Sequence, residues 1–224
     1  MRVLAASVLL MSSCAAQNEI IDTRRSTISV RVGRAGLLSV AGHDHWISAS
    51  IKAGEFNEKE NPFVTLTIEA HAMTVKPEEG SGSKDLAQIQ NTMQSRVLES
   101  EKYPLIKFQS SSVRRVAEGI WKIDGILTLH GVGKPVSVDV RRQGDAWTGT
   151  SRIKQTDFGI QPVTVAGGVV KVKNELDISF EIYAVSSAST AASRSEYSNV
   201  STQLPSSSAI SPACCSAATS GSHQ

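Results

Sequence analysis

From Thr27 to Ile182 apolar and polar residues alternate repeatedly. Ile28, Val30 and Val32 fall on one side while Thr27, Ser29 and Arg31 fall on the other. Val64, Leu66, Ile68 and Ala70 oppose Phe63, Thr65, Thr67 and Glu69 in the same way. The two-residue step returns at Ile106 and Phe108, at Val136, Val138 and Val140, and at Leu176, Ile178, Phe180 and Ile182. This period, rich in β-branched residues, predicts strands that bury one face and wet the other. Gly131, Gly133, Pro135 and the pair Gly167-Gly168 punctuate the runs as turns. Gly125, inside the run from Ile120 to Leu129, predicts a bulge or bend. One stretch steps differently. Leu86, Ile89, Met93 and Val97 recur at three and four residues, which predicts a short helix with Ser83 as its N-cap, ending before Pro104. A single helix among many one-sided strands predicts an all-β domain, a barrel or a sandwich.

The two ends read differently. Arg2 followed by the apolar run Val3 to Met11 has the form of an export signal and is too short to span a bilayer. Cleavage after Ala15 or Ala16 would leave a soluble periplasmic protein. Met11-Ser12-Ser13-Cys14 also resembles a bacterial lipobox, which would make Cys14 a lipid-bearing first residue touching the outer membrane. Residues 185–224 hold 14 serines in 40 positions with no period of 2 or 3.6, so the expectation there is a disordered tail. The folded domain is therefore expected at 20–184, after a signal segment at 1–16.

Charge and cysteine content narrow the chemistry. A net charge of +2 with no dense basic block gives no reason to expect nucleic acid. No cysteine lies between Asn18 and Ala184, which leaves that domain without a disulfide framework or thiolate metal site. Cys214 and Cys215 sit in the tail. Gly131-Val132-Gly133-Lys134 lacks the spacing of a phosphate loop. Asp157-Phe158-Gly159 has none of the partners of a kinase element. No carboxylate pair, nucleophile elbow or His-Glu-x-x-His is present, so the expectation is a protein that is not an enzyme. The cluster His43-Asp44-His45 admits two readings. Two histidines on one strand face could ligate a divalent metal, with His71 or His130 completing a site. Otherwise they form a polar strand end, with Trp46 plugging the rim. His130, beside two glycines, reads as a turn residue.

Three segments resemble a known family. Glu101-Lys102-Tyr103-Pro104-Leu105-Ile106-Lys107-Phe108 is similar to a segment of the YceI-like polyisoprenoid-binding proteins, as is Gly125 through Val136. Thr156-Asp157-Phe158-Gly159-Ile160, followed by Gly167-Gly168-Val169, resembles that family's C-terminal third. The resemblance implies a lipocalin-like antiparallel barrel with a short helix near one mouth, and an elongated apolar cavity holding an isoprenoid. The chain departs from the family pattern at Gly42-His43-Asp44-His45-Trp46 and at Gln94 through Ser100, which bears on headgroup preference.

A barrel of about eight strands has an interior that side chains can just fill or that holds one small ligand. The inward sets here are mostly Val, Ile and Leu, without a charge among them, which favours open apolar space. The expected lining is Ile28, Val30, Val64, Leu66, Ile68, Ile106, Phe108, Leu127, Leu129, Val136, Val138, Phe158, Ile178 and Phe180. The expected function is an exported envelope protein, periplasmic or outer-membrane-anchored, that carries a polyprenyl phosphate or quinone and uses no other cofactor. A metal protein built on His43 and His45, or a packed scaffold that binds nothing, are the alternatives.

Overall fold

The computed structural model describes residues 18–35, 44–59, 61–77, 83–165 and 170–185. The signal segment with Cys14, His43, the Gly167-Gly168 pair, and the tail from 186 onward with Cys214 and Cys215 lie outside the described residues.

The period-2 runs become strands of one antiparallel sheet. In chain order they are β1 (Glu19–Ile20), β2 (Thr27–Ala35), β3 (His45–Ala49), β4 (Ile51–Asn57), β5 (Phe63–Glu69) and β6 (Thr74–Val75). After α1 (Ser83–Thr92) come β7 (Leu105–Ala117), β8 (Ile120–Leu129), β9 (Val132–Gln143), β10 (Ala146–Lys154), β11 (Thr164–Val165) and β12 (Val170–Tyr183). Pairing runs from β12 to β2, from β2 to β3, and, once the chain passes Ser50 into β4, from β4 to β5. It continues through β7, β8, β9 and β10 and returns to β12. With β3 and β4 taken as one bent strand, the sheet closes into a ring of eight, which leaves no continuous open edge. Short pieces seal the bend. β1 pairs with β4, and the next residues reach β12, Ile21 bridging to Ala184 and the Asp22 amide donating to the Tyr183 carbonyl at 2.7 Å. At the other end β6 pairs with β3.

Bulges decide which residues face inward. In β7, Ser110 pairs with Gly125 and Ser112 with Asp124, so Ser111 is the extra residue. The inward set therefore changes from Ile106 and Phe108 to Val113, because one inserted residue reverses the parity of everything after it. The bulge expected at Gly125 thus lies in the strand opposite it. Gly125 itself has a different job. A Cβ there would stand 2.6 Å from Phe108 Cζ and from the Gln109 carbonyl. Gly149 repeats the device, since its Cβ would meet Phe180 Cζ at 2.4 Å. Each glycine lets an inward phenyl ring lie against the wall instead of crossing the lumen. Gly149→Val should force the Phe180 ring off its seat and lower stability by about 1–3 kcal/mol, read as a shift in denaturant midpoint.

The helix appears where the three-and-four spacing predicts it, with one difference at each end. Ser83 is itself helical and not the cap, and after Thr92 the helix widens into a π turn at Met93–Val97. Glutamines fasten it to β6 and to the segment that leads into it from β5. Gln90 Oε1 accepts the Val75 amide at 2.8 Å, Gln90 Nε2 donates to the Met73 carbonyl at 2.8 Å, and Gln94 Nε2 donates to the Ala70 carbonyl at 3.0 Å.

Candidate ligand-binding cavity

The closed sheet encloses a cavity of about 620 Å³, within the 300–1,000 Å³ typical of small-molecule sites. Its wall is built by the alternation itself, with every strand of the ring contributing its inward residues. Thirteen of the fourteen expected residues line it: Ile28, Val30, Val64, Leu66, Ile68, Ile106, Phe108, Leu127, Leu129, Val136, Val138, Ile178 and Phe180. Phe158 does not. It is 1% exposed in a 3-10 turn at Gln155–Phe158, packed beside the cavity wall and not on it. That turn clasps β12: Gln155 Nε2 donates to the Lys173 carbonyl at 2.8 Å, and the Thr156 amide donates to Asn174 Oδ1 at 3.0 Å. β12 bulges between Val172 and Leu176, so the Thr156-Asp157-Phe158-Gly159 segment holds an irregular stretch of wall in place.

Sequence reasoning missed several lining residues. Phe56 and Val113 follow bulges and so lost their parity signal, while Trp121 and Trp147 share the inward sides of β8 and β10 with Ile123 and Ile153. Ile89, Met93 and Val97, predicted as a helix face, turn that face to the cavity, so the helix covers one end of it. Arg34, His45, Asp85 and Lys171 stand at this same end, and charge is otherwise absent from the middle of the wall. Phe56, Trp121 and Trp147 are all buried at the opposite end, with the Phe56 and Trp147 rings edge to face at 4.8 Å. That end closes on Asn57 and Glu58.

Two members of the His43-Asp44-His45 cluster, Asp44 and His45, are among the described residues. His45 shares the inward side of β3 with Ile47 and lines the cavity. Trp46, expected to plug the rim, is 41% exposed and stands opposite Arg31 on the outer face. Asp44 accepts hydrogen bonds from Arg31 at 2.5 and 2.9 Å, and the Arg31 guanidinium holds its carboxyl below the usual range. His43 lies outside the described residues. Among the described residues no three His, Cys, Asp or Glu side chains gather where they could hold a metal.

The other two described histidines, His130 and His71, are engaged in local structure. His130 and Gly131 both have positive φ, 53° and 74°, as a tight two-residue hairpin between β8 and β9 requires. The strained His130 is held by Glu99, whose Oε2 lies 2.8 Å from Nε2, and by the Tyr103 ring at 4.3 Å. His71 Nδ1 lies 3.2 Å from the hydroxyl of buried Ser100.

At the closed end burial, and then the neighbouring charge of Glu58, push the Glu19 carboxyl above its usual range. A raised folded value contributes stability only at acid pH and loses it as pH rises through that value. Glu19→Gln is therefore expected to raise the denaturant midpoint at pH 7 and to leave it unchanged near pH 4.

Comparison with known proteins gives a consistent relation. The UPF0312 protein of Shewanella denitrificans is 28% identical over 171 residues, 70% of this chain and 84% of the relative. That of Vibrio cholerae is 27% identical over 188 residues, 78% and 93% of the two chains. Pseudomonas savastanoi has a UPF0312 protein 37% identical over 94 residues, where the match spans 38% of this chain and 47%, about half, of the relative. Among solved structures, BcnA of Burkholderia cenocepacia superposes with a TM-score of 0.52 at 18% identity, over 74% of this chain and 99% of that one. A polyisoprenoid binding domain from Saccharophagus degradans does so with 0.52 at 12% identity, over 74% and 96%. These two share the fold. A family model described as YceI-like domain matches residues 20–184, and the chain belongs to the YceI-like family.

Proposed function

We propose that this chain is an exported carrier that holds one long isoprenoid, a polyprenyl phosphate or a quinone, inside the barrel and catalyses no reaction. The observation that carries the reading is the cavity: about 620 Å³ of space whose middle is walled by aliphatic and aromatic side chains, with a hydroxyl added by Ser151 that donates to the Ser137 carbonyl. Each methylene buried there contributes about 0.8 kcal/mol, so a long tail binds by length without needing a specific partner. The neighbour from Saccharophagus degradans is described as a polyisoprenoid binding domain, and the same barrel here supports the same class of ligand. The apolar N-terminal run and Cys14 support export to the periplasm or anchoring at the outer membrane. A scaffold with a packed interior fits the open cavity poorly.

Trp121 and Trp147 line the cavity and supply the probe for a test. Titration of the delipidated full chain with a long-chain prenylquinone should quench tryptophan fluorescence saturably, at one molecule per barrel. Quenching that never saturates, and matches that of free tryptophan, would count against an internal site.

A further inference from the structure

The closed end of the cavity carries one polar feature that burial of a tail does not use. Asn57 is 6% exposed, and its side chain is committed: Oδ1 accepts the Lys59 amide at 2.9 Å and Nδ2 donates to Asn18 at 3.4 Å. Glu58 beside it lines the cavity. Its Oε1 accepts from Arg142 at 3.3 Å, while its Oε2 is buried and has no hydrogen-bond partner among the described residues. Arg142 is engaged on two further sides. Its Nε donates to the Gly144 carbonyl at 3.3 Å, and its guanidinium stacks on Trp147 at 4.8 Å. A buried acceptor left without a donor is costly, and such an atom in a native structure calls for a donor from elsewhere.

Resting on the lipid-carrier reading, we infer that Glu58 Oε2 is the acceptor for a hydroxyl on the ligand, so that the closed end selects isoprenoids ending in an O–H, a hydroquinone or a polyprenol. The ligand then enters hydroxyl first, and its tail runs back toward the apolar face of α1 formed by Ile89, Met93 and Val97. A carbonyl or ether oxygen brings a second acceptor against the carboxylate and gains nothing there. A phosphate brings negative charge to a place where Glu19 already sits beside Glu58 and is kept from ionising in part by it. Within the quinone class, the reduced form is therefore the one this end recognises. A few well-placed polar groups in an apolar pocket commonly set orientation in this way.

Two probes with the same tail isolate the effect: geranylgeraniol, and its methyl ether, which cannot donate. Both are titrated into the delipidated full chain by tryptophan quenching. The wild type should bind the alcohol roughly tenfold more tightly than the ether, the weight of one hydrogen bond to a charged group. Glu58→Leu removes the acceptor, and Glu58→Gln keeps an oxygen for Arg142 while turning the second position into a donor. Both variants should lose the preference and bind alcohol and ether alike, the new amide of Glu58→Gln donating to either oxygen, and saturable binding of both probes shows that the barrel is folded. Equal affinities in the wild type, or a preference for alcohol that survives in both variants, would overturn the subsite and leave the carrier intact. Failure of the wild type to bind either probe would overturn the carrier and the subsite together.

Discussion

Val138→Trp is expected to empty the barrel of lipid while leaving it folded. Val138 lies in the middle of β9 with its side chain on the cavity wall, paired across the ladder with Ile123. Its neighbours in the lumen are open space, so an indole placed there fills room that a ligand would otherwise occupy. An isoprenoid that cannot pass this point gives up every methylene beyond it. Losing only five, at about 0.8 kcal/mol each, weakens binding by about 4 kcal/mol, roughly a thousandfold. In a packed interior the same change would instead cost about 1–3 kcal/mol or more of stability through overpacking. Measuring prenylquinone affinity and denaturant midpoint on one preparation separates the two. Lost affinity with an unchanged midpoint is the expected pair, and a fallen midpoint would mean that the lumen is filled.

Phe158→Ala is expected to do the reverse, with a large loss of stability and little change in ligand selectivity. Phe158 is the largest side chain that is fully buried among the described residues, and no part of it borders the cavity. Truncating a buried phenylalanine costs about 3–5 kcal/mol, a large share of the 5–15 kcal/mol that holds an ordinary domain together. With a urea slope of about 2 kcal/mol per molar, the midpoint should fall by roughly 1.5–2.5 M. The clasp of its turn on Lys173 and Asn174 should loosen with it. Delipidated wild type and variant need to be compared, because bound lipid stabilises only the folded state. A shift below about 0.5 M would mean that neighbouring residues collapse into the vacated space.

The contrast between these two residues shows what was legible from the amino acids alone. Alternation reports which face of a strand is buried, and Val138 and twelve others of the expected residues stand on the cavity wall. It cannot report whether a buried residue meets open space or packed neighbours. Phe158 lies just past the end of β10, in a tight turn that extends no alternation, so its apolar character alone made it look like lining. Parity also fails silently at bulges. Ser111 in β7 and the irregularity between Ile51 and Ala53 in β4 reverse the inward side, which hid Val113 and Phe56. The helix was visible because its period differs from that of its surroundings, whereas its role as a cover depends on Gln90 and Gln94 reaching backbone groups some twenty residues earlier. Glu58 was the least legible residue. Charged, and next to a turn, it reads as solvated surface, and only closure of the sheet against Arg142 and Trp147 places it at the floor of the cavity. Of the His-Asp-His cluster, Asp44 pairs with Arg31 and Arg34, a commitment that depends on the pairing of β2 with β3 and that residue type alone does not show.

The most direct measurement is the chemical identity of what the barrel holds when it is taken from its native envelope. The protein would be purified without detergent, extracted with organic solvent, and the extract analysed by mass spectrometry against the molar amount of protein. A carrier with this cavity predicts close to one isoprenoid per chain, with a quinone or hydroquinone head more abundant than a phosphate. Protein that yields no lipid, or only the straight-chain phospholipids of the surrounding membrane in their bulk proportions, would contradict the account.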